Sequence, residues 1–173
     1  MPDAAAALEI AELGRAPQRV DCVAAWLHGE WYARRGEGLE AMRERLLAGA
    51  VQAVGPSTFV ACLAGQSVGT FRLEETAHPL TGERLSCLSN VFVAPAWRGR
   101  GFGRQLCEAA VRQASALRVA RLSLFTASHG AWYAAQGWRY AELLTLRTGG
   151  RDVPAMLMDR ELVDQSPTLA PAS

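Results

Sequence analysis

The spacing of apolar residues along this chain changes period twice, and each change marks a different class of element. Residues 8–13 alternate apolar and charged positions, the two-residue period of a half-buried strand. From Asp21 to about Tyr32 the period lengthens. Val23, Trp26, Leu27 and Trp31 recur at helical spacing, with Asp21 as the predicted N-cap. Gly36 and Gly38 interrupt that helix, and Leu39, Met42, Leu46 and Leu47 predict a second one, closed by Gly49. The short period then returns. Residues 58–63 and 67–73 read as strands joined by Ala64-Gly65-Gln66, a hairpin signal. A polar loop leads to a strand over 85–93, stopped by Pro95. A long helix is predicted from Gly101, with Phe102, Leu106, Cys107, Ala110 and Val111 on one face. A strand over 121–126, a short helix over 131–136 ended by Gly137, and a hairpin of 140–146 with 153–158 complete the pattern. The predicted order is β-α-α-β-β-β-α-β-α-β-β. It describes an α/β (α+β) chain, a single mixed sheet flanked by helices, without the strict alternation of a doubly wound fold.

Length and composition narrow this picture. The chain has 173 residues, enough for one sizeable core. Small residues over 1–7 and a Pro- and Ser-rich run over 163–173 predict disordered ends, leaving one domain over 8–162. Half of the residues are hydrophobic and a fifth are charged, as in a folded globular protein. A net charge of +1 lacks the basic excess of a nucleic-acid binder, so no nucleic-acid partner is expected. Cys22, Cys62, Cys87 and Cys107 are widely spaced, with no C-x-x-C pair, so no metal site is expected. They read as small buried hydrophobes of a reducing compartment. With no signal peptide and no apolar run near the ~20 residues of a membrane span, the expectation is a cytoplasmic protein with no membrane partner.

Candidate chemistry concentrates in Val91-Phe92-Val93-Ala94-Pro95-Ala96-Trp97-Arg98-Gly99-Arg100-Gly101-Phe102-Gly103-Arg104. A strand ends at Pro95 and a helix opens after the glycines. Glycines let a bulky anion approach the backbone, and the unpaired N–H groups of a helix start point at it. Arg98, Arg100 and Arg104 add charge, and together these features suit a diphosphate. The spacing is G-x-G-x-G. A dinucleotide fingerprint needs G-x-G-x-x-G, and a Walker loop needs Gly-Lys-Ser/Thr, so both fail.

Arg98-x-x-Gly101-x-Gly103 resembles the acetyl-CoA signature R/Q-x-x-G-x-G/A of the GNAT superfamily of N-acetyltransferases. The strand exit Val93-Ala94-Pro95 matches too. Ala131-Trp132-Tyr133-Ala134-Ala135-Gln136-Gly137-Trp138 is similar to its second signature, a Tyr four residues before Gly-Phe or Gly-Trp. The resemblance is specific from about residue 85 to 138. It implies a mostly antiparallel sheet whose central strand pair splays, with acetyl-CoA wedged in the gap as co-substrate. It implies transfer of the acetyl group to a primary amine of a small molecule or protein, by direct attack in a ternary complex. A monomer or homodimer is the expected form. Backbone groups of Val91, Phe92 and Val93 would pair with the pantetheine, and the segment from Arg98 through Gly99, Arg100, Gly101, Phe102 and Gly103 to Arg104 would hold the pyrophosphate. Tyr133 would be the general acid for the leaving thiolate. Some members carry a basic Glu on the fourth strand, where this chain has Cys87. Glu30 and His129 are the leading base candidates, with Glu74, Glu75 and His78 behind them. Trp31 and Tyr32 are the candidate walls of the acceptor pocket. The alternative is a non-catalytic acyl-CoA-binding or sensing module.

Overall fold

The computed structural model describes residues 8–51 and 57–162. The expected disordered ends, 1–7 and 163–173, lie outside the described residues. The chain forms β1 (Glu9–Glu12), α1 (Val20–Leu27), α2 (Leu39–Val51), β2 (Ser57–Leu63), β3 (Gln66–Ala77), β4 (Arg84–Val93), α3 (Phe102–Ala116), β5 (Arg121–Thr126), α4 (Gly130–Ala134), β6 (Arg139–Thr148) and β7 (Arg151–Glu161). The predicted order holds throughout. The strands build one seven-stranded sheet in the order β1-β2-β3-β4-β5-β7-β6. Neighbours are antiparallel except β4 and β5, which run parallel.

Both faces of the first half of the sheet are covered, which explains why β2 reads as a continuous apolar run. Phe59 and Ala61 of β2 join Phe71, Leu73 and Leu88 under Leu106, Cys107, Ala110 and Ala114 of α3. Val60 and Cys62 face the other way, onto Val23, Ala24 and Leu27 of α1 and Met42 and Leu46 of α2. Tyr133, Trp138, Met156 and Met158 extend the α3 side, so α3 and α4 share one face. On the opposite face of the second half, Leu85, Cys87, Leu144 and Leu157 form a smaller cluster. The buried His78 links the β3–β4 loop to the half-exposed Glu142 of β6. His78 Nδ1 accepts the N–H groups of Leu80 and Thr81, each at 3.2 Å. Its proton therefore sits on Nε2, which donates to Glu142 Oε1 at 2.6 Å. His78 is spent on tying the β3–β4 loop to β6.

Three local expectations are corrected. Asp21 is not the N-cap, because the chain enters α1 through a 3-10 turn at Pro17–Arg19 that already sets helical geometry. Asp21 instead lies in the first turn and takes the Arg43 guanidinium of α2 at 2.6 Å. Gly49 does not end α2, which runs on to Val51. The helix from Asp21 does not stay α to Tyr32. It ends at Leu27 and widens into a single π turn, His28–Tyr32, before Gly36 stops it at φ 79°. Among the described residues no helix is long and apolar enough to cross a membrane.

Candidate active site

The parallel pair β4–β5 is registered at one position, Cys87 against Ser123. Beyond it β4 leaves β5. The cause is local. Thr70 pairs with Phe92 and Arg72 with Ser89, so Asn90 and Val91 together oppose Phe71. Asn90 takes φ 51°, a left-handed conformation that Asn tolerates better than most residues. This bulge bends the strand and inverts its alternation. Before it, Leu88 faces α3 while Cys87 faces the smaller cluster on the opposite side. After it, Val91 and Val93 pack on the α3 side. Phe92 turns the other way, with its ring 5.6 Å from Trp26 and 6.2 Å from Trp31.

Past β4 a 3-10 turn at Pro95–Trp97 delivers Arg98, and then Gly99 and Gly101 adopt φ 73° and 80°. α3 opens with no side-chain cap. Among the described residues, no backbone carbonyl takes the N–H groups from Gly99 to Arg104. With the helix dipole behind them, these donors suit a diphosphate. The arginine side chains are placed differently from one another. Arg98 Nε donates to the Val93 carbonyl at 2.9 Å, its guanidinium covers the Phe92 ring at 5.2 Å, and it lies 3.9 Å from Glu30. Arg98 thus ties the end of β4 to the π turn. Arg100 stacks on Trp97, whose ring meets Phe102 edge-on, and Arg104 pairs with Glu108 in solvent.

α4 closes the other wall of the gap. Its start packs so tightly on β7 that a Cβ on Gly130 would lie 2.7 Å from Met156. Tyr133 is half-buried between Trp132 and Trp138, both edge-on. Burial is the main cause that raises its phenol above the ordinary value, and Cys107 adds to it. Trp132 reaches across to α3, where a Cβ on Gly103 would lie 3.3 Å from the indole and 3.9 Å from Val93 Cγ2. Val93, Gly103, Trp132 and Tyr133 therefore meet at the mouth between β4, α3 and α4. Sequence reasoning did not single out Trp132; its signal was an aromatic residue beside Tyr133 with a facing glycine.

The remaining candidates fall in two places. Glu30, Trp31 and Tyr32 share the π turn on the Phe92 side, and Tyr32 lies between the guanidinium groups of Arg35 and Arg45, each at 4.9 Å. Arg35 also packs on Gly149, so the β6–β7 turn meets the end of this segment. His129 is exposed at the exit of β5. Its ring bonds Ser128 at 3.1 Å and its backbone N–H donates to Thr126 at 3.0 Å, both within its own turn. The structure does not bring it to Glu30. A further polar group crosses the sheet. Ser89 Oγ donates to Glu74 Oε1 at 2.6 Å, Arg72 Nε donates to Glu74 Oε2 at 3.0 Å, and Glu74 stands opposite Cys87. Burial, with the charges of Glu74 and Asp159, pushes the Cys87 thiol up to about 12.

The Acetyltransferase (GNAT) domain family matches residues 55–140, a span that includes the splayed strands, the glycine loop and Tyr133. No curated protein matches the chain in sequence. Solved structures of the same fold include an aminoglycoside 6'-acetyltransferase type Ii, at 16% identity over 91% of this chain and 99% of that one, TM-score 0.69. A spermidine N-acetyltransferase variant from Vibrio cholerae matches at 18% identity over 90% and 94%, TM-score 0.69. An aminoglycoside 6'-N-acetyltransferase solved with coenzyme A matches at 15% identity over 91% and 99%, TM-score 0.69. At such identities the likeness is one of fold. With the domain match lying over the very elements that build the gap, the loop and Tyr133, the chain belongs to the GNAT superfamily of acyl-CoA-dependent N-acyltransferases.

Proposed function

We propose that the protein transfers the acetyl group of acetyl-CoA to a primary amine of a small molecule or protein, by direct attack of the amine in a ternary complex. The observation that carries this reading is the β4–β5 gap, pinned at one residue pair beside a glycine loop whose N–H groups lack backbone partners. Those N–H groups, from Gly99 to Arg104, hold the pyrophosphate. The backbone of Val91, Phe92 and Val93 lines the gap for the pantetheine. Arg98 acts on this site by fixing the Val93 carbonyl and the π turn rather than as a free surface charge.

The chemistry asks for three groups. A leaving thiolate needs a proton, and Tyr133 supplies it, since its raised phenol stays protonated at neutral pH. The oxyanion needs donors, and the backbone N–H groups of β4 just after the Asn90 bulge supply them. The amine must lose a proton, because an alkylamine near ~10.4 is mostly charged at neutral pH. Glu30 and His129 are candidates by position, and Trp31 and Tyr32 wall the acceptor side. Four free thiols, three of them buried, suit a reducing compartment, and we place the protein in the cytoplasm.

The test is thiol release from acetyl-CoA across a panel of primary amines. Amine-dependent release with the amide as product supports the reading. Coenzyme A binding without release for any amine supports the non-catalytic binding module instead.

A further inference from the structure

We infer that Glu74, presented from β3, is the group that takes the proton from the incoming amine, with Ser89 and Arg72 holding its carboxylate. The assignment rests on the acyl-transfer reading above. It begins with the faces of β4. The donor side carries α3, α4 and Tyr133, so the amine enters from the opposite face. Leu88 packs toward α3, which leaves Cys87 and Ser89 on the amine side. Cys87 is a poor base there, since its thiol is buried and stays protonated at neutral pH.

The carboxylate comes from the neighbouring strand. Glu74 is the residue registered directly against Cys87, so the two side chains share a face. Each carboxylate oxygen is fixed once, by Ser89 at 2.6 Å and by Arg72 at 3.0 Å. Each oxygen retains a lone pair for a further donor. Ser89 immediately precedes the Asn90 bulge, where β4 leaves β5, so the carboxylate is anchored at the opening of the gap. The Glu74 side chain keeps 30% exposure, enough to pass protons to water. The other candidates lack this anchoring. Glu30 meets Arg98 only at 3.9 Å, and His129 bonds within its own exposed turn.

The step balances as follows. The ammonium gives its first proton to Glu74, which passes it to water. The neutral nitrogen then bonds to the thioester carbonyl carbon. Its second proton, made acidic by the new bond to carbon, leaves to water as the carbon–sulfur bond breaks. Tyr133 protonates the sulfur and is reprotonated by water. One amide, one thiol and one released proton result.

Steady-state kinetics of Glu74→Gln test this, using an alkylamine acceptor from the panel and its aminooxy counterpart, whose nitrogen is uncharged at neutral pH. Glutamine keeps an oxygen for Ser89 but cannot take a proton. The expected result is a kcat loss of ~10²–10⁴-fold for the alkylamine, an unchanged KM for acetyl-CoA, and aminooxy turnover within about threefold of wild type. Glu74→Asp, which keeps a carboxylate, should recover part of the alkylamine rate and guards against a folding defect. Full alkylamine turnover by Glu74→Gln, or equal loss with both acceptors, overturns the assignment. So does the same selective loss appearing in Glu30→Gln or His129→Ala and not in Glu74→Gln. A wild-type protein that turns over neither acceptor refutes the acyl-transfer reading itself and the assignment with it.

Discussion

Gly69 gives the most direct test of how the β3–β4 pair shapes the site. It pairs with Val93 at the end of β4. A Cβ added there would lie 2.5 Å from the Phe92 carbonyl oxygen, 2.9 Å from Leu106 Cδ1 and 3.5 Å from Val93 Cα. A carbon–oxygen contact settles near ~3.3 Å, so Gly69→Ala must part the strands by roughly 0.8 Å. Neither neighbour yields easily. One is backbone, and Leu106 is fully buried in the α3 cluster. Overpacking of this kind costs about 1–3 kcal/mol, and the reduced freedom of the unfolded chain offsets about 0.4–1 kcal/mol of it. A net loss of about 1–2 kcal/mol lowers Tm by about 3–6 °C in a chain of this size. The same displacement moves Phe92 and Val93, so acetyl-CoA binding should weaken with it. Differential scanning calorimetry and isothermal titration with acetyl-CoA measure the two effects. Gly49→Ala is the comparison: Gly49 is helical with nothing within 4 Å, and alanine there should stabilise by about 0.5–1 kcal/mol. A Gly69→Ala protein that melts at or above wild type and binds acetyl-CoA normally would refute the close approach.

Other outcomes follow from the same geometry. Tyr133→Phe should lower kcat by ~10²–10³-fold with little change in the acetyl-CoA KM, and an unchanged kcat in the thiol-release assay would remove its role as acid. Gly101→Ala meets no neighbour within 4 Å but must adopt φ 80°, at a cost of about 1–2 kcal/mol. If the loop relaxes instead, acetyl-CoA affinity should fall about tenfold by titration calorimetry, and unchanged affinity would exclude the loop from binding. Stability should also fall in alkali. Burial lifts the thiols of Cys87 and Cys107 from 9.0 to about 12, so the folded state keeps protons that the unfolded chain gives up. The stabilisation is complete below pH 9 and drains away as pH rises toward 12, at about 1.4 kcal/mol per pH unit for each thiol. Urea unfolding at pH 8, 9 and 10 should show a shallower decline for Cys107→Ala, and identical slopes would contradict the burial argument.

What the sequence made legible was what local physics decides. Apolar spacing named each strand and helix, because period depends on near neighbours. Gly99 and Gly101 marked the loop, because positive φ is written into residue type. Features that depend on distant partners stayed hidden. Arg98 read as a charge for the anion, yet its direction is set by the Val93 carbonyl and Glu30, neither visible from the motif. The π turn at His28–Tyr32 keeps apolar residues near helical spacing, so one widened turn left no mark. Glu74 was one acid among several until register set it against Cys87.

The Asn90 bulge links these hidden features. In an unbroken strand, Cys87, Ser89, Val91 and Val93 would share one face, because side chains alternate with a period of two. The extra residue reverses the parity, so Cys87 and Ser89 stay on the amine side while Val91 and Val93 join the α3 side. In the proposed reaction one strand thereby serves both substrates, with Ser89 on the acceptor face before the bulge and an apolar edge for the donor after it. Phe92 is turned in the same step toward Trp26, Trp31 and Arg98, which brings the π turn against the end of the gap. Deleting Asn90 would leave Val91 alone opposite Phe71 and keep every one of these facings, but it would remove the bend that carries β4 away from β5, and the gap for the donor would close. The bulge is therefore as much a part of the proposed chemistry as Tyr133, although no atom of the Asn90 side chain has a role in it.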